Sequence, residues 1–157
     1  MLIRKLVSSD VPWIEAVVAG HFGSAEVVSR GVLHDARTLP GFVAEVESEP
    51  AGLLQYRETD GQCEVVILIS LIPRQGIGRE LLKTVQTFAR QAGCKRLWLV
   101  TTNNNTSAIA FYQKVGWEQV AIYPGAVREA RKIKPQIPLY DEAGVAIEDE
   151  IEFEWII

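Results

Sequence analysis

Apolar and polar residues alternate through "LIRKL" at 2–6, the two-residue period of a half-buried strand. The period then changes. Val11, Ile14, Val17 and Val18 recur at helical spacing, Ser9 or Asp10 can cap, and Pro12 suits a first turn. The pattern predicts a helix ending near Gly20, then a shorter helix from Ser24 to about Arg30, stopped by Gly31. "GFVAEVES" and "AGLLQYRET" read as two strands, with a tight turn around Pro50. Asp60-Gly61 is a strong turn dipeptide, so the next strand should close a hairpin. That strand, "CEVVILISLI" at 63–72, is almost wholly apolar, as a strand covered on both faces must be.

From Gly78 to Ala92 the residues Leu81, Leu82, Val85, Phe88 and Ala89 make one apolar helix face, and Gly93 suits its end. "RLWLVTT" at 96–102 is a second buried strand. Strand, helix and strand at this spacing form a crossover unit, so the two strands should be parallel. A helix over Thr106–Lys114, a strand at 117–123 and an amphipathic helix at 126–134 follow. The closing "EDEIEFEWII" alternates Glu with Ile, Phe and Trp and reads as a half-exposed strand. The fold class is therefore α/β (α+β): one domain over 1–157, with a mixed sheet of about seven strands and helices on both faces.

Composition narrows the function. The net charge is −4, which argues against nonspecific nucleic-acid binding. No stretch has the length of a membrane span, and the opening apolar run is too short for a signal peptide. Cys63 and Cys94 match no metal or redox spacing and suit buried positions in a reducing, cytoplasmic compartment. His21 and His34 have no third partner at a triad-like spacing, and no metal site is expected.

Two stretches carry candidate chemistry. In "IPRQGIG", Gly76 and Gly78 open a helix directly after the buried strand, with Arg74 and Arg79 beside them. Glycines let a backbone approach a ligand, and a helix N-terminus favours an anion. By itself the turn reads more readily as a tight strand-to-helix link with solvated arginines than as a phosphate cradle. No Gly-Lys-Ser/Thr follows, which excludes a Walker loop, and the third glycine of a dinucleotide fingerprint is missing. The second stretch, "NTSAIAFYQKVGW" from Asn105 to Trp117, reads alone as a capped helix with an aromatic core residue.

In this order and spacing, the two stretches resemble the GCN5-related N-acetyltransferase (GNAT) family. That family shows Gln/Arg-x-x-Gly-x-Gly/Ala after one central strand, then Asn-x-x-Ala-x-x-Phe/Leu-Tyr-x-x-x-Gly-Phe after the next. Asn105, Ala108, Phe111, Tyr112 and Gly116 match the second pattern, with Trp117 for Phe. The resemblance implies an acetyl-CoA site. The pyrophosphate would meet backbone N–H groups of Gln75, Gly76, Ile77, Gly78 and Arg79. The pantetheine arm would pair with the strand end at Leu71 and Ile72, Asn105 would hydrogen-bond the arm, and Tyr112 would lie by the sulfur. Pro73 stands where the family pattern has Gln or Arg, and the link to the glycines is short. The phosphate grip is therefore expected from Gln75 onward, helped by Arg74 or Arg79.

The resemblance further implies direct transfer of an acetyl group to an amine of a small molecule or protein. The alternative is a non-catalytic acyl-CoA-binding module of the same fold. Tyr112 is the expected acid, since a phenol near ~10 lies close to a thiol near ~8.5. A strand N–H near Ile72 is the expected carbonyl donor. Glu64 is the expected base, although an extended strand would put it roughly 26 Å from Ile72; otherwise it is a solvated carboxylate at a strand edge. His21 and His34 read as structural or surface residues; the alternative puts His34, with Ser29 and Arg30, in the acceptor pocket that the resemblance implies near the N-terminal helices. Arg128, Arg131, Lys132 and Lys134 form a basic side of the late helix, a solvated face or a meeting point for an anion. The Glu150, Glu152 and Glu154 face of the last strand reads as exposed, leaving that strand open to pairing in a homodimer.

Overall fold

The structure is a computed structural model describing residues 1–157. Nine strands and four helices follow one another as β1 (Leu2–Lys5), α1 (Val11–Phe22), β2 (Glu26–Ser29), β3 (Val32–Asp35), β4 (Gly41–Val46), β5 (Glu49–Thr59), β6 (Gln62–Ser70), α2 (Ile77–Gln91), β7 (Arg96–Thr102), α3 (Thr106–Lys114), β8 (Glu118–Tyr123), α4 (Ala126–Ile133) and β9 (Glu150–Ile156). Seven strands make one sheet in the order β1-β4-β5-β6-β7-β9-β8, and β2 and β3 form a separate ribbon. No helix is long and apolar enough to cross a membrane.

The mixed sheet and the crossover unit agree with the sequence reading. So do the Asp60-Gly61 hairpin, where both residues take positive φ (54° and 74°), and the burial of Cys63 and Cys94. Four expectations are corrected. α1 runs past Gly20 and stops at Gly23, whose φ of 84° lets its N–H reach the Ala19 carbonyl. The turn between β4 and β5 lies at Glu47-Ser48, with φ of 53° and 67°; Pro50 lies within β5 opposite Glu45, where the register shifts.

The third correction concerns the helix expected at 24–30. It is a hairpin: Arg30 and Gly31 take φ of 48° and 76°, and Ser29 pairs with Val32. Gly31 serves as a hairpin turn, not a helix stop. β-branched Val27 and Val28 favour the extended state once Val27 can pack with Ile14, Val18, Leu53, Ile67 and Ile69.

The fourth concerns the last strand. β9 lies between β7 and β8, so it is no edge, and pairing with a second copy along it is blocked. Glu150 and Glu152 are buried. Glu150 pairs with Arg30 at 3.0 Å; Glu152 pairs with Arg96 and accepts from the Tyr123 hydroxyl at 2.8 Å. The basic side of α4 is largely engaged too. Lys134 is buried and donates to the Phe22 and Glu26 carbonyls, Arg131 donates to those of Ile137, Pro138 and Ile147, and Lys132 pairs with Glu129.

The sheet has one parallel contact. β6 and β7 pair at Gln62–Arg96, Cys63–Leu97 and Glu64–Trp98 and then separate, although β6 continues to Ser70 and β7 to Thr102. α2 and α3 cover one face over Leu54, Leu97, Leu99 and Phe153. α1 and the β2–β3 ribbon cover the other. The beginning of α2 is fixed by close contact: a Cβ on Gly52 of β5 would come within 2.4 Å of Ile77 Cγ2. Gly52→Ala is expected to cost about 1–3 kcal/mol through overpacking. In a domain of this size that lowers Tm by about 3–10 °C, measured by thermal melting.

Candidate active site

The aliphatic run of β6 gives way to a turn at Ser70–Gly76 that is bent by positive φ at Arg74 (63°) and Gly76 (72°). Ile77 is buried and anchors the start of α2, so the backbone around it is held while its N–H groups face outward. Glu80 makes the first backbone hydrogen bond of the helix, to the Gly76 carbonyl at 3.0 Å. The N–H groups of Gln75, Gly76, Ile77, Gly78 and Arg79 have no acceptor in the protein. Together with the helix dipole they form a row of free donors suited to an anion. The Arg74 and Arg79 side chains are exposed beside it.

Gly78 links the two sequence motifs. A Cβ there would lie 3.2 Å from Phe111 Cζ of α3. The missing side chain therefore lets α3 pack against the beginning of α2. Asn105 caps α3 by accepting from the Ala108 N–H at 3.4 Å. This uses its side-chain oxygen and leaves the amide nitrogen without a partner. At the end of β6, Leu71 and Ile72 are partly exposed. The Leu71 N–H is already bound to the Ala51 carbonyl at 2.8 Å, so of the expected strand-end groups its carbonyl and the Ile72 N–H are available.

Tyr112 is buried against Phe153, with ring centroids 5.5 Å apart. Its hydroxyl has no protein partner, and burial pushes its pKa up to about 12. The phenol therefore stays protonated at neutral pH, as a donor.

Glu64 is not a solvated edge carboxylate. It is buried and accepts from the Ser29 hydroxyl at 2.5 Å. Burial pushes its pKa up to about 7, against the opposing effects of the Ser29 hydrogen bond and the Arg57 charge. His34 Nε2 lies 3.9 Å from Glu64 Oε1, too far to hydrogen-bond, and has no partner. Burial and the Arg57 charge lower the His34 pKa, so the imidazole is neutral and the pair is not an ion pair. The ribbon thus brings Ser29 and His34 to Glu64. They line or adjoin a cavity of about 140 Å³ whose walls include Arg30, Arg57, Gln62 and Trp98. Another cavity, of about 120 Å³, lies beside α4 and includes Arg128 and Arg131; Arg131 is already bound to three carbonyls.

Glu64 faces the ribbon, whereas Tyr112 belongs to the core under α2 and α3. The gap where β6 and β7 separate lies between these faces and begins at Glu64. The distance expected from Ile72 loses its force because of a bulge. The register shifts between Gln55 and Tyr56, opposite Ile67 and Val65, so Val66 has no partner on β5 and lies beyond the β7 pairing. Val66 thus stands unpaired two residues from Glu64 along β6, against eight for Ile72. The bulge, Arg57 and Trp98 escaped the sequence reading: a bulge leaves no mark in an unbroken aliphatic run, and the other two gain meaning only as cross-strand neighbours of Glu64.

Residues 13–117 match the acetyltransferase (GNAT) family. The uncharacterized protein YdhI of Bacillus subtilis is 42% identical over 140 residues, 88% of this chain and 88% of YdhI. The chain belongs to the GNAT family of acetyltransferases. An IAA acetyltransferase from Bacillus cereus has the same fold, with a TM-score of 0.77 at 19% identity over 99% of each chain. A GNAT family acetyltransferase from Elizabethkingia anophelis, with acetyl-CoA bound, gives 0.70 at 18% identity over 99% of this chain and 97% of its own.

The raised pKa of Glu64 has a consequence for stability. The folded state holds this proton more tightly than the unfolded chain, so stability falls as pH rises from 4.5 toward about 7. Glu64→Gln keeps an acceptor for Ser29 and removes the buried charge. At pH 8 it should be more stable than the parent by roughly 3 kcal/mol, a rise in Tm of about 5–10 °C. The advantage should shrink severalfold at pH 5, which paired melting curves will reveal.

Proposed function

We propose that this protein is an N-acetyltransferase that passes an acetyl group from acetyl-CoA directly to an amine. The observation that carries the reading is the gap between β6 and β7, with unpaired turn N–H groups at its outer end, a buried base on one face and a buried phenol on the other. Acetyl-CoA supplies a thioester carbonyl already activated toward an amine. The N–H groups from Gln75 to Arg79, with Arg74 and Arg79, fit its pyrophosphate. The Leu71 carbonyl, the Ile72 N–H and the Asn105 amide nitrogen fit its arm.

Glu64 and Tyr112 then divide the proton chemistry. A primary alkylamine near ~10.4 enters as ammonium and must lose a proton before attack. Glu64, ionised above about pH 7, receives that proton on the ribbon face. The Val66 N–H at the bulge is the donor for the carbonyl oxygen, where negative charge builds up. Tyr112 donates a hydrogen bond from its hydroxyl toward the sulfur. Complete transfer from a phenol near 12 to a thiolate near ~8.5 is uphill by roughly 5 kcal/mol. Its role is therefore to stabilise the departing charge, with complete protonation following from solvent. Pro73, which has no N–H, lies outside the row of free N–H groups from Gln75 to Arg79.

Acetyl-CoA at a hundredfold its Kd should stabilise the protein by roughly 2.7 kcal/mol and raise Tm by about 5–10 °C. No thermal shift at millimolar acetyl-CoA overturns the reading. Tyr112→Phe should keep that shift and lower kcat by about a hundredfold or more. In wild type, kcat/KM should climb through about pH 7; in Glu64→Gln this rise should flatten. Unchanged kcat or an unchanged pH profile removes the residue concerned from the mechanism.

A further inference from the structure

Three charged residues, Arg30, Arg57 and Glu64, line the cavity; Arg30 is already paired, as is the neighbouring Arg96 outside the lining. Arg30 pairs with Glu150 at 3.0 Å and lies 3.3 Å over the Tyr123 ring. Arg96 pairs with Glu152 and, at 2.5 Å, with Glu154. Two groups are left. Glu64 accepts from the Ser29 hydroxyl and has no cation in direct contact; the Arg57 charge acts on it without forming an ion pair. Arg57 forms no hydrogen bond or ion pair, and it stands directly opposite Glu64 on the neighbouring strand. Directly opposed residues on antiparallel strands share a face, with Cβ atoms about 4.5–5.5 Å apart. Arg57 is exposed at the cavity, and Glu64 lies at its buried side.

We infer that the acceptor is a small amine carrying an anionic group within a few bonds of its nitrogen, with the amine at Glu64 and the anion on the Arg57 guanidinium. This rests on the acetyltransferase reading above. A guanidinium grips a carboxylate or a phosphate through paired N–H donors. Such a molecule matches both unbalanced charges at once. A simple alkylamine would leave Arg57 without a partner, and its positive charge would be repelled by that guanidinium. The small cavity favours a compact molecule over a folded protein surface. Trp98, paired with Glu64 across β6 and β7, supplies an apolar wall for the remainder of the acceptor.

The experiment compares amino acids with the amines left by their decarboxylation: tyrosine with tyramine, tryptophan with tryptamine, lysine with cadaverine. Phosphoethanolamine with ethanolamine separates phosphate from carboxylate. Thiol release gives kcat/KM for each. The anionic member of at least one pair should be favoured by about ten- to a hundredfold. Arg57→Gln should bring that ratio toward one, mainly by raising KM, and Arg57→Lys should restore part of it. A wild-type ratio at or below one in every pair, or a ratio that Arg57→Gln leaves intact, overturns the inference. If acetyl-CoA binds but no amine is acetylated, titration calorimetry on the same pairs reads the preference as Kd, and no preference for an anionic member overturns it. Failure of acetyl-CoA to bind is a different outcome and overturns the acetyltransferase reading on which the inference rests.

Discussion

The separation of β6 from β7 after Glu64–Trp98 is the constraint on which the site depends. In a regular parallel pair, each strand satisfies the other's backbone groups along its whole length. Here the pairing stops early, and buried backbone polar groups without partners are costly. A sheet can sustain such a gap only if its two halves are held independently and a ligand or solvent satisfies the open groups. β4 and β5 brace β6 on one side. Antiparallel pairing with β9, along the whole of β7, braces the other.

Placing the closing strand between β7 and β8 therefore has a functional consequence. It fixes the far wall of the gap and brings Glu150 and Glu152 under the ribbon, where Arg30, Arg96 and Tyr123 balance them. Those pairs fix much of the electrostatic environment around Glu64, whose cross-strand neighbour Arg57 forms no ion pair. The burial that raises the Glu64 pKa makes its charged form costly to folding. It also poises the carboxylate near neutral pH, where a base can both accept and release a proton.

The residues proposed to meet acetyl-CoA were legible in the chain as candidates. Gly76, Gly78, Asn105 and Tyr112 occupy fixed offsets within local elements, and the structure adds the reason for one of them: Gly78 leaves room for Phe111, so the two motifs are in physical contact. The surroundings of Glu64 were much less legible. Ser29 lies in a segment read as helix, and His34 just beyond the Gly31 expected to stop it, because Gly31 is as good a helix stop as a hairpin turn, and local sequence does not separate the two. Arg57 looked like any polar residue near a strand end until the β5–β6 register set it opposite Glu64.

The sequence by itself determined the elements whose periods are strong, the glycine turn, the cap and phenol of α3, and the family they resemble. These depend on residues close together in the chain, where spacing is nearly geometry. Tertiary structure decided where β9 inserts, how far β6 and β7 stay paired, where β6 bulges and what surrounds Glu64. Each of these depends on contacts between residues remote in sequence, so the pKa of one carboxylate and the charge of one cavity became readable only when the sheet was assembled.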